Sequence, residues 1–123
     1  MLAACIALLV VPGHAQESPS YTAYEVMKGC QAFIARTRSN WEDREDTFLR
    51  GVCVGTVSTL AGYAAALERG AKGTTGACLP SGVTVRQEIL VVAAYIDSRP
   101  NRLNESFQLL GMEALREAWP CQR

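Results

Sequence analysis

Histidine is nearly missing from this chain: His14 is the single one, and it falls in a segment expected to be removed. Leu2–Val11 is an apolar run, and Pro12-Gly13-His14-Ala15 puts small residues at the −3 and −1 positions before Gln16. That is the form of a secretory signal peptide over residues 1–15. No Lys or Arg precedes Lys28, so the basic start of such a leader is absent, and the leader is read as truncated at its N-terminus. The run is too short to cross a bilayer of about 30 Å as a helix. A lipoprotein reading of Leu2-Ala3-Ala4-Cys5 fails on order, because its apolar stretch follows the cysteine instead of preceding it. Once the leader is gone, serine–histidine and cysteine–histidine nucleophile pairs are excluded, and so are histidine-based metal sites. Only carboxylates, Lys and Tyr remain for catalysis, and the protein is expected not to be an enzyme.

An excess of charge is missing as well. Twelve basic residues balance twelve acidic ones, which gives nucleic acid no basic face to bind. Close cysteine pairs are a third absence. The chain has five cysteines; Cys5 leaves with the leader, and Cys30, Cys53, Cys78 and Cys121 remain. Zinc ligation needs pairs of the C-x-x-C kind, and the shortest gap here is 23 residues. An even set of distant cysteines in an exported chain reads instead as two disulfides. No metal or other cofactor is expected.

Nor does any segment show sustained period-two alternation, so strands are not expected. Helical signals are frequent. Thr22-Ala23-Tyr24-Glu25 has the form of a capping box, and Val26, Cys30, Phe33 and Ile34 then form one apolar stripe to about Arg36. Residues 37–46 make a polar connection around Trp41. A second helix is expected from about Thr47 to Arg69, stopping at Gly70 in the position where helices favour glycine. Its interior, Gly51–Leu67, carries no charge, and Gly51 and Gly55 form a G-x-x-x-G pair. Three glycines, hydroxyl residues and charges at both ends favour a central helix of a soluble bundle over a membrane span, its glycines letting neighbouring helices approach. Thr84 and Gln87 form another capping box, opening a third helix whose stripe is Val85, Ile89, Val92, Ala93 and Ile96, closed by Pro100. A fourth is expected over about Arg102–Ala118, burying Leu103, Phe107, Leu110 and Ala114. The fold class is therefore all-α, a small four-helix domain over residues 16–123.

Helices joined by short links pack antiparallel. Cys30 lies about two turns before the end of the first helix and Cys53 about two turns into the second, so they face each other across a hairpin. Cys78 precedes the third helix and Cys121 follows the fourth, which returns beside it. The expected pairing is Cys30–Cys53 with Cys78–Cys121.

Three further motifs carry less. Glu42, Asp43, Glu45 and Asp46 could pose as paired catalytic carboxylates, but acidic residues at the approach to a helix N-terminus are ordinary. Lys72-Gly73-Thr74 fails the phosphate-loop pattern, because a glycine separates the lysine from the threonine. Asn104-Glu105-Ser106 matches a glycosylation sequon and falls inside the expected fourth helix.

Cys78-Leu79-Pro80-Ser81-Gly82-Val83-Thr84, followed by Gln87, Val91, Val92, Tyr95 and Pro100, and then Ala114-Leu115 with Ala118-Trp119-Pro120-Cys121, resembles the Tai, or resistance-associated (Rap), immunity proteins of type VI secretion amidases. Cys30 and Cys53-Val54-Gly55 match the earlier cysteines of that pattern. The chain departs from it at Thr56, where the family often carries an aromatic, and at Thr59. The resemblance implies a periplasmic, disulfide-bonded helical protein, often a homodimer, that binds a papain-like peptidoglycan amidase effector and obstructs its cleft. Two connections are candidate contacts for that partner: the one carrying Trp41, and the small-residue loop Lys72, Gly73, Thr74, Thr75 and Gly76. A plain connector is the alternative for the loop, and a lid over the hairpin for Trp41. The alternative function is a small periplasmic holdase chaperone without a cognate toxin.

Overall fold

The computed structural model describes residues 20–35 and 44–122. Trp41, Glu42, Asp43, Cys5 and the expected leader lie outside them. Among the described residues there are four α-helices and no named strand: α1 (Ala23–Ala35), α2 (Arg44–Gly70), α3 (Val85–Asp97) and α4 (Phe107–Ala118), with a 3₁₀ turn at Pro100–Arg102 between the last two.

Local capping sets the starts. At α1 the box closes in both directions: the Thr22 N–H donates to Glu25 Oε2 at 2.8 Å, and the Glu25 N–H donates to Thr22 Oγ1 at 3.4 Å. The Thr84 hydroxyl accepts from the Gln87 N–H at 3.2 Å and opens α3. α2 begins at Arg44, earlier than Thr47, so Glu45 and Asp46 fall in its first turn. Negative charge is favourable there, which is the non-catalytic reading of those two residues.

α2 is the central element, packing against α1, α3 and α4. Its length and composition would allow it to cross a membrane, yet Leu49, Cys53, Val57, Ala61 and Ala64 form a stripe turned into the protein. That stripe meets Val26, Met27 and Cys30 of α1, Ile89, Val92 and Ile96 of α3, and Phe107, Leu110 and Leu115 of α4. Burial of these side chains from water is the main stabilising term. Val85, expected in the α3 stripe, is 38% exposed instead, because the stripe turns inward only from Glu88 onward.

Both disulfides have the expected partners. Cys30–Cys53 joins α1 to α2 with Cα atoms 5.4 Å apart, and Cys78–Cys121 ties the segment before α3 to the segment after α4 at 4.8 Å. The glycine expectation is corrected. A Cβ on Gly51, Gly55 or Gly62 would meet nothing within 4 Å; these glycines face away from the neighbouring helices. Close approach falls elsewhere. A Cβ on Gly29 would overlap the Leu49–Arg50 backbone of α2, and one on Gly111 would lie 2.9 Å from Leu60 Cδ1.

The start of the fourth helix is also corrected. Residues 102–106 are not α-helical: Ser106 is the N-cap of α4, its hydroxyl accepting from the Leu109 N–H at 3.4 Å. The reason is long-range. The first N–H groups of α1 have no partner within their own helix, and here they find carbonyls in that turn: Ala23 donates to Glu105 O at 2.8 Å and Tyr24 to Leu103 O at 2.9 Å. Phe107 N–H in turn donates to Tyr21 O at 2.9 Å. Leu103 still packs against the core, which explains why the apolar stripe looked continuous. Asn104-Glu105-Ser106 consequently lies on a turn rather than within a helix.

Arg102 locks this corner. Its guanidinium forks onto Glu105 at 2.8 and 2.7 Å and reaches Glu113 at 2.7 Å. Glu113 also accepts from the Tyr95 hydroxyl at 2.8 Å, while Arg99 stacks 3.6 Å from the Tyr95 ring. The Arg102 hydrogen bonds hold the carboxyls of Glu105 and Glu113 below the ordinary range.

Candidate functional site

The loop singled out by sequence, Lys72–Gly76, starts just past the last turn of α2 and is not slack. Glu68, one turn from the helix end, lays its carboxylate under the loop and accepts four donors. These are the Gly73 N–H, the Thr75 N–H at 2.6 Å, the Thr75 hydroxyl at 2.8 Å and the Gly76 N–H at 3.1 Å. Gly73 and Gly76 adopt φ of 86° and 76°, left-handed values that glycine reaches without a Cβ clash. This is what lets successive N–H groups converge on one anion. Thr75 leads the donors that hold the Glu68 carboxyl below its ordinary pKa.

From the other side, Arg116 of α4 donates its Nε–H to Thr75 O at 2.9 Å. The chain leaving the loop is held by Cys78 N–H to Trp119 O at 2.7 Å, by Cys121 N–H to Gly76 O at 3.2 Å, and by the Cys78–Cys121 bond. Thr75 and Gly76 are thus half-buried, whereas Lys72, Gly73 and Thr74 stand exposed as a crown. A connector held in this way is ordered along its inner side. A cavity of about 520 Å³ opens beside it, with Arg69 and Lys72 on its rim and Leu79 and the Cys78 disulfide along its wall.

Glu68 Oε and the two sulfurs, Cys78 Sγ and Cys121 Sγ, lie within 4.8 Å of one another. The sulfurs are bonded to each other and the carboxylate is filled by loop donors, so this cluster is loop packing on a disulfide. Sequence reasoning missed Glu68 and Arg116 as the organisers of the loop. One signal for Glu68 was available: a carboxylate near a helix C-terminus is electrostatically misplaced, unless donors such as those of a Gly/Thr-rich run follow it. Nothing local marked Arg116. Of the two positions that depart from the resembled pattern, Thr56 is half-buried and Thr59 exposed.

Among the described residues, four packed helices carry two cross-links and a loop fixed at the end of α2. The chain belongs to the Rap1a immunity proteins, whose family model matches residues 22–121. Membership of that family implies an inhibitor that binds a cognate effector protein. No curated protein and no solved structure matches the chain.

Proposed function

We propose that the protein acts in the periplasm, where it binds a peptidoglycan amidase delivered by a type VI secretion system and obstructs the amidase's cleft. The observation that carries this reading is the exposed crown Lys72–Thr74, whose Gly73 N–H donates to Glu68 and whose neighbour Thr75 is held by both Glu68 and Arg116. A loop ordered before contact does not lose that conformational freedom on binding, which favours affinity. Two disulfides suit an oxidising compartment. Trp41 is the second proposed contact, since tryptophans often anchor interfaces. A homodimer is proposed on the resemblance, and light scattering of the purified protein measures it.

The test uses a peptidoglycan amidase sought among the genes beside this chain. Its hydrolysis of peptidoglycan fragments should fall to background at one equivalent of the protein. Lys72→Glu with Thr74→Arg should weaken the complex about tenfold or more, roughly 1.4 kcal/mol, with the helical signal and melting point unchanged. Trp41→Ala should do the same. Undiminished hydrolysis at excess protein would sink the amidase reading, and broad suppression of aggregation in acid would favour the chaperone.

A further inference from the structure

Glu88 lies in the first turn of α3 and is 7% exposed, the only buried charged residue type among the described residues. Its Oε2 is buried with no hydrogen-bond partner. Burial alone pushes its carboxyl above the ordinary range; no ionised neighbour contributes. A group left in that condition works against folding, and an apolar residue of similar size would suit a sealed core better.

The site is not sealed. Glu88 lines a trough of about 390 Å³ walled by Ala61, Gly62 and Ala65 of α2 on one side and by Leu79, Pro80 and Val83 on the other. Gly62 leaves it open, for a Cβ there would meet no atom within 4 Å. The Ser58 hydroxyl in the same trough already donates to Val54 O at 2.7 Å. Oε2 of Glu88 therefore stands as an unsatisfied acceptor at a channel lined by Ser58 and Ser81 besides its apolar residues. Through Ala65, Leu79 and Ser81 the channel continues into the cavity beside the Lys72–Gly76 loop, so the two form one face.

We propose that this trough receives a lysine or arginine side chain of the partner protein, its aliphatic stem along Ala61, Leu79 and Val83 and its cationic head on Glu88. A single carboxylate is too few ligands for a metal ion, and no anion would approach it. A long cationic side chain matches both parts of the site, because its stem is apolar and its head carries only donors. The trough is open along its length, with Val85 exposed beside it. A buried, unpaired acceptor beside apolar wall residues is a place where one partner side chain can contribute strongly to binding. That the partner is an effector rests on the reading above; the chemistry of the trough does not.

The experiment needs no effector. Uniformly ¹⁵N,¹³C-labelled, oxidised protein is titrated with Nα-acetyl-lysine methylamide, and separately with its arginine, glutamine and norleucine counterparts. The lysine or arginine probe should give saturable shifts at Gly62, Val83 and Glu88. Followed at its side-chain carbon, the Glu88 titration should shift to lower pH when the lysine probe is bound. Norleucine, glutamine, and the lysine probe on Glu88→Gln should bind at least about tenfold more weakly. Glu88→Gln keeps the shape of the side chain, and its melting curve reports that it is folded. Absence of saturable shifts, equal binding of norleucine or glutamine, or undiminished binding to Glu88→Gln overturns the proposal. If the capped lysine binds and no amidase does, the trough stands and the effector reading falls.

Discussion

The two disulfides hold two kinds of structure. Cys30–Cys53 is wholly buried between helices that pack closely anyway, with Gly29 pressed against the α2 backbone beside it. Cys78–Cys121 is half-buried and joins two irregular segments whose other fixings are a few backbone bonds, the Glu68 carboxylate and the Arg116 guanidinium. The first bond reinforces a core. The second holds a presentation surface in place. Stability and partner binding should accordingly respond to different cysteines.

Removing each bond in turn gives the largest effects. Loop-closure entropy alone ranks them about 3.4 kcal/mol for the 23-residue separation and about 4.0 kcal/mol for the 43-residue one. Burial should reverse that order, because serine hydroxyls at positions 30 and 53 would lie in the core, at roughly 1–3 kcal/mol for each left unpaired. Chemical denaturation should find Cys30→Ser/Cys53→Ser less stable than Cys78→Ser/Cys121→Ser. The second variant should instead show faster amide exchange at Gly73, Thr75 and Gly76. The opposite stability order would break the comparison.

Gly29→Ala is next in size. Its Cβ would meet α2 backbone, which cannot swing aside as a side chain can, so a loss of about 1–3 kcal/mol is expected. Gly55→Ala should go the other way. It adds a methyl into open space within a helix, and its unfolding free energy should rise by about 0.5–1 kcal/mol. If the two changes proved alike in sign, the assignment of packed and open faces would be wrong.

Glu68→Gln should have the smallest effect on global unfolding and a clear one on the loop. The carboxyl is held below its usual pKa of 4.5 in the folded protein. Its contribution is therefore complete above that value and is lost as pH falls through the lower folded value. Amide exchange at Gly73, Thr75 and Gly76, corrected for its intrinsic pH dependence, should accelerate in that acid window and nowhere above it. In Glu68→Gln the acid step should vanish. An unchanged acid step in that variant would assign the latch to another group.

Sequence alone read well wherever the cause was local. Thr22 with Glu25 and Thr84 with Gln87 mark helix starts because cap and partner are three residues apart. The disulfide partners followed from antiparallel neighbours. The errors share a different origin. The stripe through Leu103 suggested an unbroken fourth helix, and only the N–H groups of Ala23 and Tyr24, some eighty residues away, explain the turn. The α2 glycines looked like packing points because spacing carries no information about which side the neighbours occupy. In the loop, the small residues were legible, whereas Arg116 lies forty-one residues from the carbonyl it holds. Glu88 drew no reading from the sequence, because its burial depends on Leu79, Pro80 and Val83 of the chain before α3 lying beside it.

Both bridges join cysteines that follow one another along the chain, Cys30 with Cys53 and Cys78 with Cys121. For a polypeptide that meets an oxidant while emerging N-terminus first, that order matters. The first pair is complete before Cys78 appears, and the second forms from the only two thiols then left between Cys30 and Cys121. Oxidation in order of arrival thus yields the native pairing directly, so folding needs a thiol oxidant but no isomerase to reshuffle crossed bonds.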